Sequence, residues 1–209
     1  MTKKSIVIIC KGPSALKSSK EFIESFDEVA ICNFPPMRGY EEYVGNKADY
    51  HFFNAHDPRP YDKELLDSLG LKEIFNTHNV PHKGFPSSFP DHPHIYYPNY
   101  GRDVVEKFES EYDFHPSTGI QAFYYFVTNP NFDRIAVVGF DFFKVGQKAY
   151  YFSPKEVQPS LKYLFNDNGS GPYLKDGTRV KESLHDTKKS EKFVSDMIKL
   201  HNKKLIKLT

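Results

Sequence analysis

Short apolar runs alternate along this chain with segments in which apolar residues recur three and four positions apart. A continuous apolar run of this kind is typical of a strand buried on both faces, and the helical spacing indicates helices packed on the sheet. The predicted strands cover residues 5–10, 28–32, 50–53, 71–75, 95–97, 135–138 and 205–208. The predicted helices cover residues 18–26, 62–68, 102–109 and 187–202, with one more starting near residue 118. This order predicts an α/β fold with a parallel sheet and helices on its faces.

In two stretches of the chain the apolar residues show neither helical nor strand periodicity. Residues 76–100 are crowded with proline, histidine and aromatic side chains, and we predict a long ordered loop with one short strand. Residues 144–182 are also irregular, with a flexible centre at 167–172, and we predict a lid there. Long loops inside a compact domain are usually functional or mobile. We find no internal repeat, so residues 1–209 are expected to form a single domain.

Composition narrows the function classes. The chain has 209 residues and a formal net charge of +1, so a general attraction to nucleic acid or anionic membrane is not expected. Its apolar runs are shorter than the roughly 20 residues that a membrane span needs. The N-terminal apolar run is short and breaks at Lys11, so we read it as a strand and expect a cytoplasmic protein. Cys10 and Cys32 each end a predicted strand and are expected to be buried thiols, although a disulfide stays open.

The segment from His115 to Phe143 carries half of a candidate site. Ser117 or Thr118 can cap a helix, and Gly119 lets another group approach the first turn of that helix. A helix start offers unpaired N–H groups and a partial positive charge, which suit a phosphate or a carboxylate. The residues from Gly139 onward follow a predicted strand, where open α/β sheets place their ligands.

The ends of other predicted strands supply the second half. Gly12, Pro13 and Ser14 form a turn after the first strand, and such a turn can bring backbone N–H groups to a phosphate. The chain lacks Gly-x-Gly-x-x-Gly and Gly-Lys-Ser/Thr, which disfavours a dinucleotide or a P-loop triphosphate. Asn33 and Asn54 each follow a strand and can bind a ribose, a base or a phosphate, or simply cap a turn.

Three further side chains are candidates for chemistry. Tyr150 and Tyr151 can donate hydrogen bonds to a departing phosphate, or only pack. His185 precedes a helix and can accept a proton at neutral pH, although a lone histidine is more often structural. Asp141 stands alone, without the Asp-x-Asp pair that holds a divalent ion, and can also be a cap. Histidines 78, 82, 92 and 94 match no zinc spacing, so we expect no metal site.

Several ordered segments resemble sialyltransferases. Residues 5–54 are similar to the large sialylmotif of the eukaryotic family, and the run from His115 to Phe140 resembles its small motif. His185 and Glu191 approximate the very small motif, with one extra residue between them. Gly-Phe-Asp-Phe-Phe at 139–143, the tyrosine pair and Leu-His-Asp-Thr-Lys at 184–188 resemble bacterial glycosyltransferase family 42.

The resemblance implies a CMP-sialic acid donor, a glycan acceptor, an inverting transfer without metal or cofactor, and a Rossmann-like GT-A-type sheet with a lid. It implies that Tyr150 or Tyr151 binds the departing phosphate and that His185 is the base. The residues that it places at the donor are Gly12, Pro13, Ser14, Asn33, Asn54, Ser117, Thr118 and Gly119. Lys11, Gly139, Phe140 and Asp141 complete the candidate substrate-binding set.

The sequence also departs from these families. Lys11 replaces the asparagine that usually precedes Gly-Pro-Ser, and Phe143 replaces a tyrosine of the bacterial family. No cysteine lies in the small motif to form the eukaryotic disulfide. These changes leave three alternatives open: a transferase for another CMP-linked acidic sugar, a non-catalytic CMP- or glycan-binding domain, and a small hydrolase. The sequence also leaves open whether the chain forms a homo-oligomer.

Overall fold

A computed structural model describes residues 2–54, 63–78, 93–142, 146–152, 174, 178–179 and 185–208. Within these ranges, seven strands form one sheet in the order β5-β4-β3-β2-β1-β6-β7, and all neighbouring pairs are parallel. The strands are β1 (Lys4–Ile9), β2 (Glu28–Cys32), β3 (Tyr50–Phe53), β4 (Glu73–Asn76), β5 (Ile95–Tyr97), β6 (Phe132–Val138) and β7 (Lys204–Leu208). The predicted parallel α/β fold is therefore confirmed.

Six α-helices are described beside the sheet. They are α1 (Lys20–Glu24), α2 (Glu41–Val44), α3 (Lys63–Leu69), α4 (Tyr100–Glu111), α5 (Thr118–Thr128) and α6 (Thr187–Leu200). The first three pack on one face of the sheet and the last three on the other. The central strands are consequently buried on both sides, which explains why β1, β2 and β3 are mostly apolar in sequence.

The predicted helix at 18–26 is shorter than expected. A 3-10 helix covers Pro13–Lys17 first, and α1 begins only after Ser19, whose hydroxyl accepts a hydrogen bond from the Phe22 N–H at 3.2 Å. Ser18, the first residue of the predicted helix, is buried and lies before α1. The prediction missed this turn because Pro13 opens a separate short helix directly after β1.

The buried Glu28 carboxylate gathers charged and polar side chains at the amino ends of the central strands. The Glu28 carboxylate accepts hydrogen bonds from Lys4 Nζ at 2.7 Å, the Tyr50 hydroxyl at 2.6 Å and Lys72 Nζ at 3.2 Å. Burial acts to raise the pKa of Glu28, but these three donors outweigh it and hold the pKa below its usual range. The cluster fixes the register of β1 to β4 far from the site described below.

Only part of the predicted lid is described. Lys148 forms an antiparallel bridge with Thr178, and the Tyr151 N–H donates to the Lys11 carbonyl at 2.9 Å, so residues 148–151 lie against the chain that leaves β1. The predicted flexible centre at 167–172 and Phe143 lie outside the described residues, as do His82 and His92 of the long loop. In the parts of the chain that are described, no helix is both long and apolar enough to cross a membrane.

Candidate active site

The sheet reverses its winding direction between β1 and β6. The chain proceeds from β1 to β5 toward one edge and from β6 to β7 toward the other, so the connections after β1 and β6 diverge. Such a divergence leaves a crevice at the carboxyl ends of the strands, where open α/β sheets bind ligands. A cavity of about 310 Å³ lies there. Its lining includes Cys10, Lys11, Gly12, Cys32, Asn33, Asn54, Thr77, His78, His115, Ser117, Thr118, Gly119, Gln121, Gly139, Phe140, Asp141, Lys148 and His185.

Two glycines allow the chains after β1 and β6 to cross closely. The Gly12 N–H donates to the Gly139 carbonyl at 2.8 Å. A Cβ on Gly139 would lie 2.5 Å from the Cys10 carbonyl oxygen, and Gly139 also has a φ of +70°. A Cβ on Gly12 would lie 2.1 Å from Asp141 Oδ2. The base of the cavity is therefore built from backbone atoms that a side chain would force apart.

Asp141 supplies the anion for the turn after β1. Its Oδ2 accepts a hydrogen bond from the Ser14 N–H at 2.9 Å, at the start of the 3-10 helix. Pro13 has no N–H to offer a ligand. The structure therefore places Pro13 and Ser14 behind the cavity lining, and the carboxylate occupies the position expected for a ligand phosphate. This contact agrees with the alternative interpretation, in which Asp141 caps a turn.

Polar side chains at three other strand ends are joined to the start of α5. Ser117 is the cap, since its Oγ accepts from the Ile120 N–H at 3.3 Å. The Thr118 hydroxyl instead lies 3.1 Å from Asn33 Nδ2 and 3.0 Å from the Thr77 hydroxyl. Asn33 Oδ1 accepts from the Asn54 N–H at 2.7 Å. The ends of β2, β3 and β4 and the start of α5 thus form one polar wall.

Thr77 and Gln121 belong to this wall and were not predicted. The Gln121 amide donates to the Thr77 carbonyl at 3.0 Å, and both residues are buried. Thr77 follows β4 as Asn33 follows β2, but the predicted strand ended one residue earlier, at 75, so the rule used for the asparagines would have selected Asn76. Gln121 lies one turn inside α5 in an apolar run, and its polarity at a core position was the available signal.

His185 reaches the same cavity from the turn before α6. Its Nδ1 lies 3.0 Å from the His115 carbonyl oxygen, and because a carbonyl only accepts, Nδ1 carries the proton and Nε2 the lone pair. Burial lowers the pKa of His185, and the nearby His115 and Arg179 side chains lower it further. The carbonyl contact works in the opposite direction but is outweighed. The structure therefore favours the neutral imidazole.

His115 itself is tied to a carboxylate at the cavity edge. Its Nδ1 lies 2.9 Å from Glu109 Oε1, and its ring is 5.7 Å from the ring of His185 with an angle of 21° between the planes. The Glu109 contact fixes the orientation of the His115 ring, and the His115 backbone orients His185. Two histidines seventy positions apart in sequence are thus held side by side.

The two candidate tyrosines have different surroundings. The Tyr151 hydroxyl donates to the Pro36 carbonyl at 2.7 Å, and its buried ring packs edge-on against Tyr40 at 4.9 Å. This hydroxyl is bonded to the backbone, and Tyr151 is not among the residues that line the cavity, so its position does not favour a role in binding a phosphate there. Tyr150 is half-buried beside the cavity, and Lys11 Nζ lies 4.9 Å from the centre of its ring.

Both cysteines lie at the floor of the cavity as free thiols. The β1–β2 register pairs Ile9 with Ile31, which makes Cys10 and Cys32 direct neighbours on adjacent strands. A hydrogen bond with Cys10 and burial together raise the pKa of the Cys32 thiol. The expectation of buried thiols is confirmed. Across the residues that the structure describes, no three His, Cys, Asp or Glu side chains are grouped to hold a metal ion.

No family model matches this sequence, and a comparison with curated protein sequences finds no match. Solved structures do match. The sialyltransferase CstII from Campylobacter jejuni, in complex with cytidine-5'-monophosphate, is 18% identical with a TM-score of 0.61, and the match covers 100% of this chain and 81% of CstII.

Two other sialyltransferases share the fold. The monofunctional α-2,3-sialyltransferase Cst-I from Campylobacter jejuni is 17% identical with a TM-score of 0.60, covering 99% of this chain and 76% of that one. A mammalian sialyltransferase in complex with Gal-β-1-3GalNAc-ortho-nitrophenol is 16% identical with a TM-score of 0.54, covering 99% and 69%. At these identities the likeness establishes a sialyltransferase-like fold along the whole chain.

Proposed function

We propose that this chain is an inverting, metal-independent glycosyltransferase that transfers sialic acid from CMP-sialic acid to a glycan hydroxyl. One observation carries the proposal. His185 and the small-motif turn at 115–119 line the same cavity at the switch point of the sheet, and the two are joined by the bond from His185 Nδ1 to the His115 carbonyl. The resemblance assigned donor binding to the turn and proton removal to the histidine, and the geometry makes these roles compatible.

The donor would lie along the polar wall. Asn33, Asn54 and Thr118 offer amide and hydroxyl groups within one hydrogen-bonded network, which suits a ribose and a base edge. Gly119 lines the cavity at the first turn of α5, where Cys10 Sγ and the Phe140 ring pack against it. Lys11 and Lys148 add positive charge to the cavity lining. A CMP-linked acidic sugar carries a phosphate and a carboxylate, so these cations match its charge.

The chemistry we propose is a single displacement. The acceptor hydroxyl oxygen forms a bond to the anomeric carbon while the bond from that carbon to the phosphate oxygen breaks, and CMP leaves with the electron pair. His185 Nε2 takes the proton of the acceptor hydroxyl, which its neutral form permits. The donor's own carboxylate eases the positive charge that develops on the sugar, and the cavity holds the two substrates in line.

The rate of transfer should depend on pH through His185. Its pKa lies below the ordinary value of about 6.5, so the imidazole stays neutral at pH 7 and becomes protonated only in more acidic solution. We expect kcat/KM to be flat near neutrality and to fall as pH drops below about 6.5. A pH profile of kcat/KM for the acceptor, measured at a saturating concentration of the donor, checks this. An acidic limb centred clearly above that value would contradict the assignment of His185 as the base.

The test of the proposed function is incubation with CMP-sialic acid, with and without lactose-type acceptors, in the presence of a chelator. We expect a sialylated acceptor and free CMP in equal amounts. Activity that appears only after a divalent ion is added would contradict the metal-independent mechanism. Release of free sugar without acceptor would favour a hydrolase instead.

Sialyltransferases usually have asparagine at the position of Lys11. This difference makes another CMP-linked acidic sugar the second candidate donor. A panel of CMP-sugars at equal concentration separates the two donors by their kcat/KM values. Stabilisation by CMP without turnover of any donor would instead point to a binding domain.

A further inference from the structure

We propose that Tyr150 acts through the face of its ring and not through its hydroxyl, by holding the Lys11 ammonium as the phosphate-binding cation of the cavity. The inference rests on the proposed function, since it names the group that would meet the phosphate of a CMP-linked donor. It assigns Tyr150 as a positioning residue and Lys11 as the residue that contacts the ligand.

The contact between the two side chains is direct. Lys11 Nζ lies 4.9 Å from the centre of the Tyr150 ring, within the range of a cation–π interaction. The Tyr150 ring is in turn stacked on Phe152, with 5.2 Å between the ring centres and 23° between the planes. Phe152 is buried among the residues on the α1–α3 face of the sheet. The ring is therefore a platform fixed to the core.

The backbone holds Lys11 in the same place. The Tyr151 N–H donates to the Lys11 carbonyl at 2.9 Å, which ties the platform segment to the chain that leaves β1. Lys11 lines the cavity, whereas Tyr150 lies behind it. A flexible lysine loses much rotamer freedom when it binds an anion. A ring that already holds the ammonium reduces that loss before the ligand arrives.

This arrangement also accounts for the turn after β1. Asp141 already occupies the Ser14 N–H, so the backbone there has less to offer a phosphate. A point charge on the residue just before Gly12 supplies the attraction instead. Lys11 thus supplies the attraction for a phosphate that the turn, with its Ser14 N–H bonded to Asp141, offers less of.

The experiment measures the affinities of CMP and cytidine by calorimetry for five forms of the full chain: wild type, Lys11→Met, Tyr150→Phe, Tyr150→Leu and the double variant Lys11→Met/Tyr150→Leu. We expect Lys11→Met to weaken CMP binding about 10- to 100-fold and to leave cytidine binding unchanged. We expect Tyr150→Leu to weaken CMP binding about 3- to 30-fold, Tyr150→Phe to keep it, and the double variant to match Lys11→Met.

Two results would overturn the inference. Loss of CMP affinity in Tyr150→Phe equal to that in Tyr150→Leu would show that the hydroxyl is the working group. Equal losses for CMP and cytidine in Tyr150→Leu would show only a packing role. A wild-type chain that binds no CMP overturns the proposed function, and the same five forms are then titrated with inorganic pyrophosphate. Binding that Lys11→Met and Tyr150→Leu reduce supports the inference, and no binding or equal binding overturns it.

Discussion

His185→Ala is expected to lower the rate of transfer about 10²–10⁴-fold while leaving the affinity for CMP nearly unchanged. The reason is that His185 would act on the acceptor proton and not on the nucleotide. Its Nδ1 is committed to the His115 carbonyl, so the side chain would act through Nε2. Removal of a general base slows the step in which a proton moves and has little effect on a group that binds elsewhere in the cavity.

The measurement is single-turnover transfer from CMP-sialic acid, together with CMP affinity for the same preparation. His201→Ala is the matched control, because His201 is the C-terminal cap of α6, outside the cavity. We expect that control to keep its turnover. Wild-type turnover in His185→Ala would remove His185 from the mechanism and leave the fold assignment intact.

Gly139→Ala is expected to reduce the free energy of unfolding by more than about 3 kcal/mol or to prevent folding. Alanine at a φ of +70° is strained, and its Cβ would also lie 2.5 Å from the Cys10 carbonyl oxygen. That oxygen belongs to the chain leaving β1, an inner strand that pairs with both β2 and β6. Relief of the clash requires β1 and β6 to separate where they form the cavity floor.

Gly70→Ala separates strain from collision. Gly70 has nearly the same φ, +69°, and among the described residues no atom lies within 4 Å of the point that a Cβ would occupy. This variant should therefore show only the backbone penalty, about 1–2 kcal/mol. Urea denaturation of both variants, followed by CMP binding of the folded fraction, gives the comparison. Equal losses of stability in the two variants would mean that the crossing of β1 and β6 is looser than the structure indicates.

The strands were predictable because both faces of the sheet are covered. β2 and β3 have the bounds predicted from their apolar runs, and even the short strand Ile95–Tyr97 was found within an irregular stretch. Helix α2 was missed because Glu41–Val44 is a single turn, too short to show a period. The periodicity of apolar residues in a sequence reflects which side chains are buried. A four-residue helix buries too few side chains to show a period.

The candidate site was predictable as a location but only in part as a set of side chains. The parallel order of the strands is sufficient to bring Lys11, Asn33 and Gly139 to one edge. The direction of a side chain in irregular backbone is not encoded by spacing, which is why Tyr150 and Tyr151, adjacent in sequence, have separate surroundings. The proximity of His185 to His115 was not predicted, since no local pattern links residues seventy positions apart.

The two thiols at the cavity floor offer a way to detect a ligand bound in the cavity. The chain contains 2 cysteines in all, Cys10 and Cys32, and both line the cavity. Because both thiols are buried and the pKa of Cys32 is raised, alkylation by a small reagent is expected to be slow in the empty protein. A molecule seated above them should slow it further, so a fall in the rate of mass gain reports ligand binding without any catalytic assay. Because that signal needs neither turnover nor a known acceptor, candidate donors can be screened one by one on the unmodified chain.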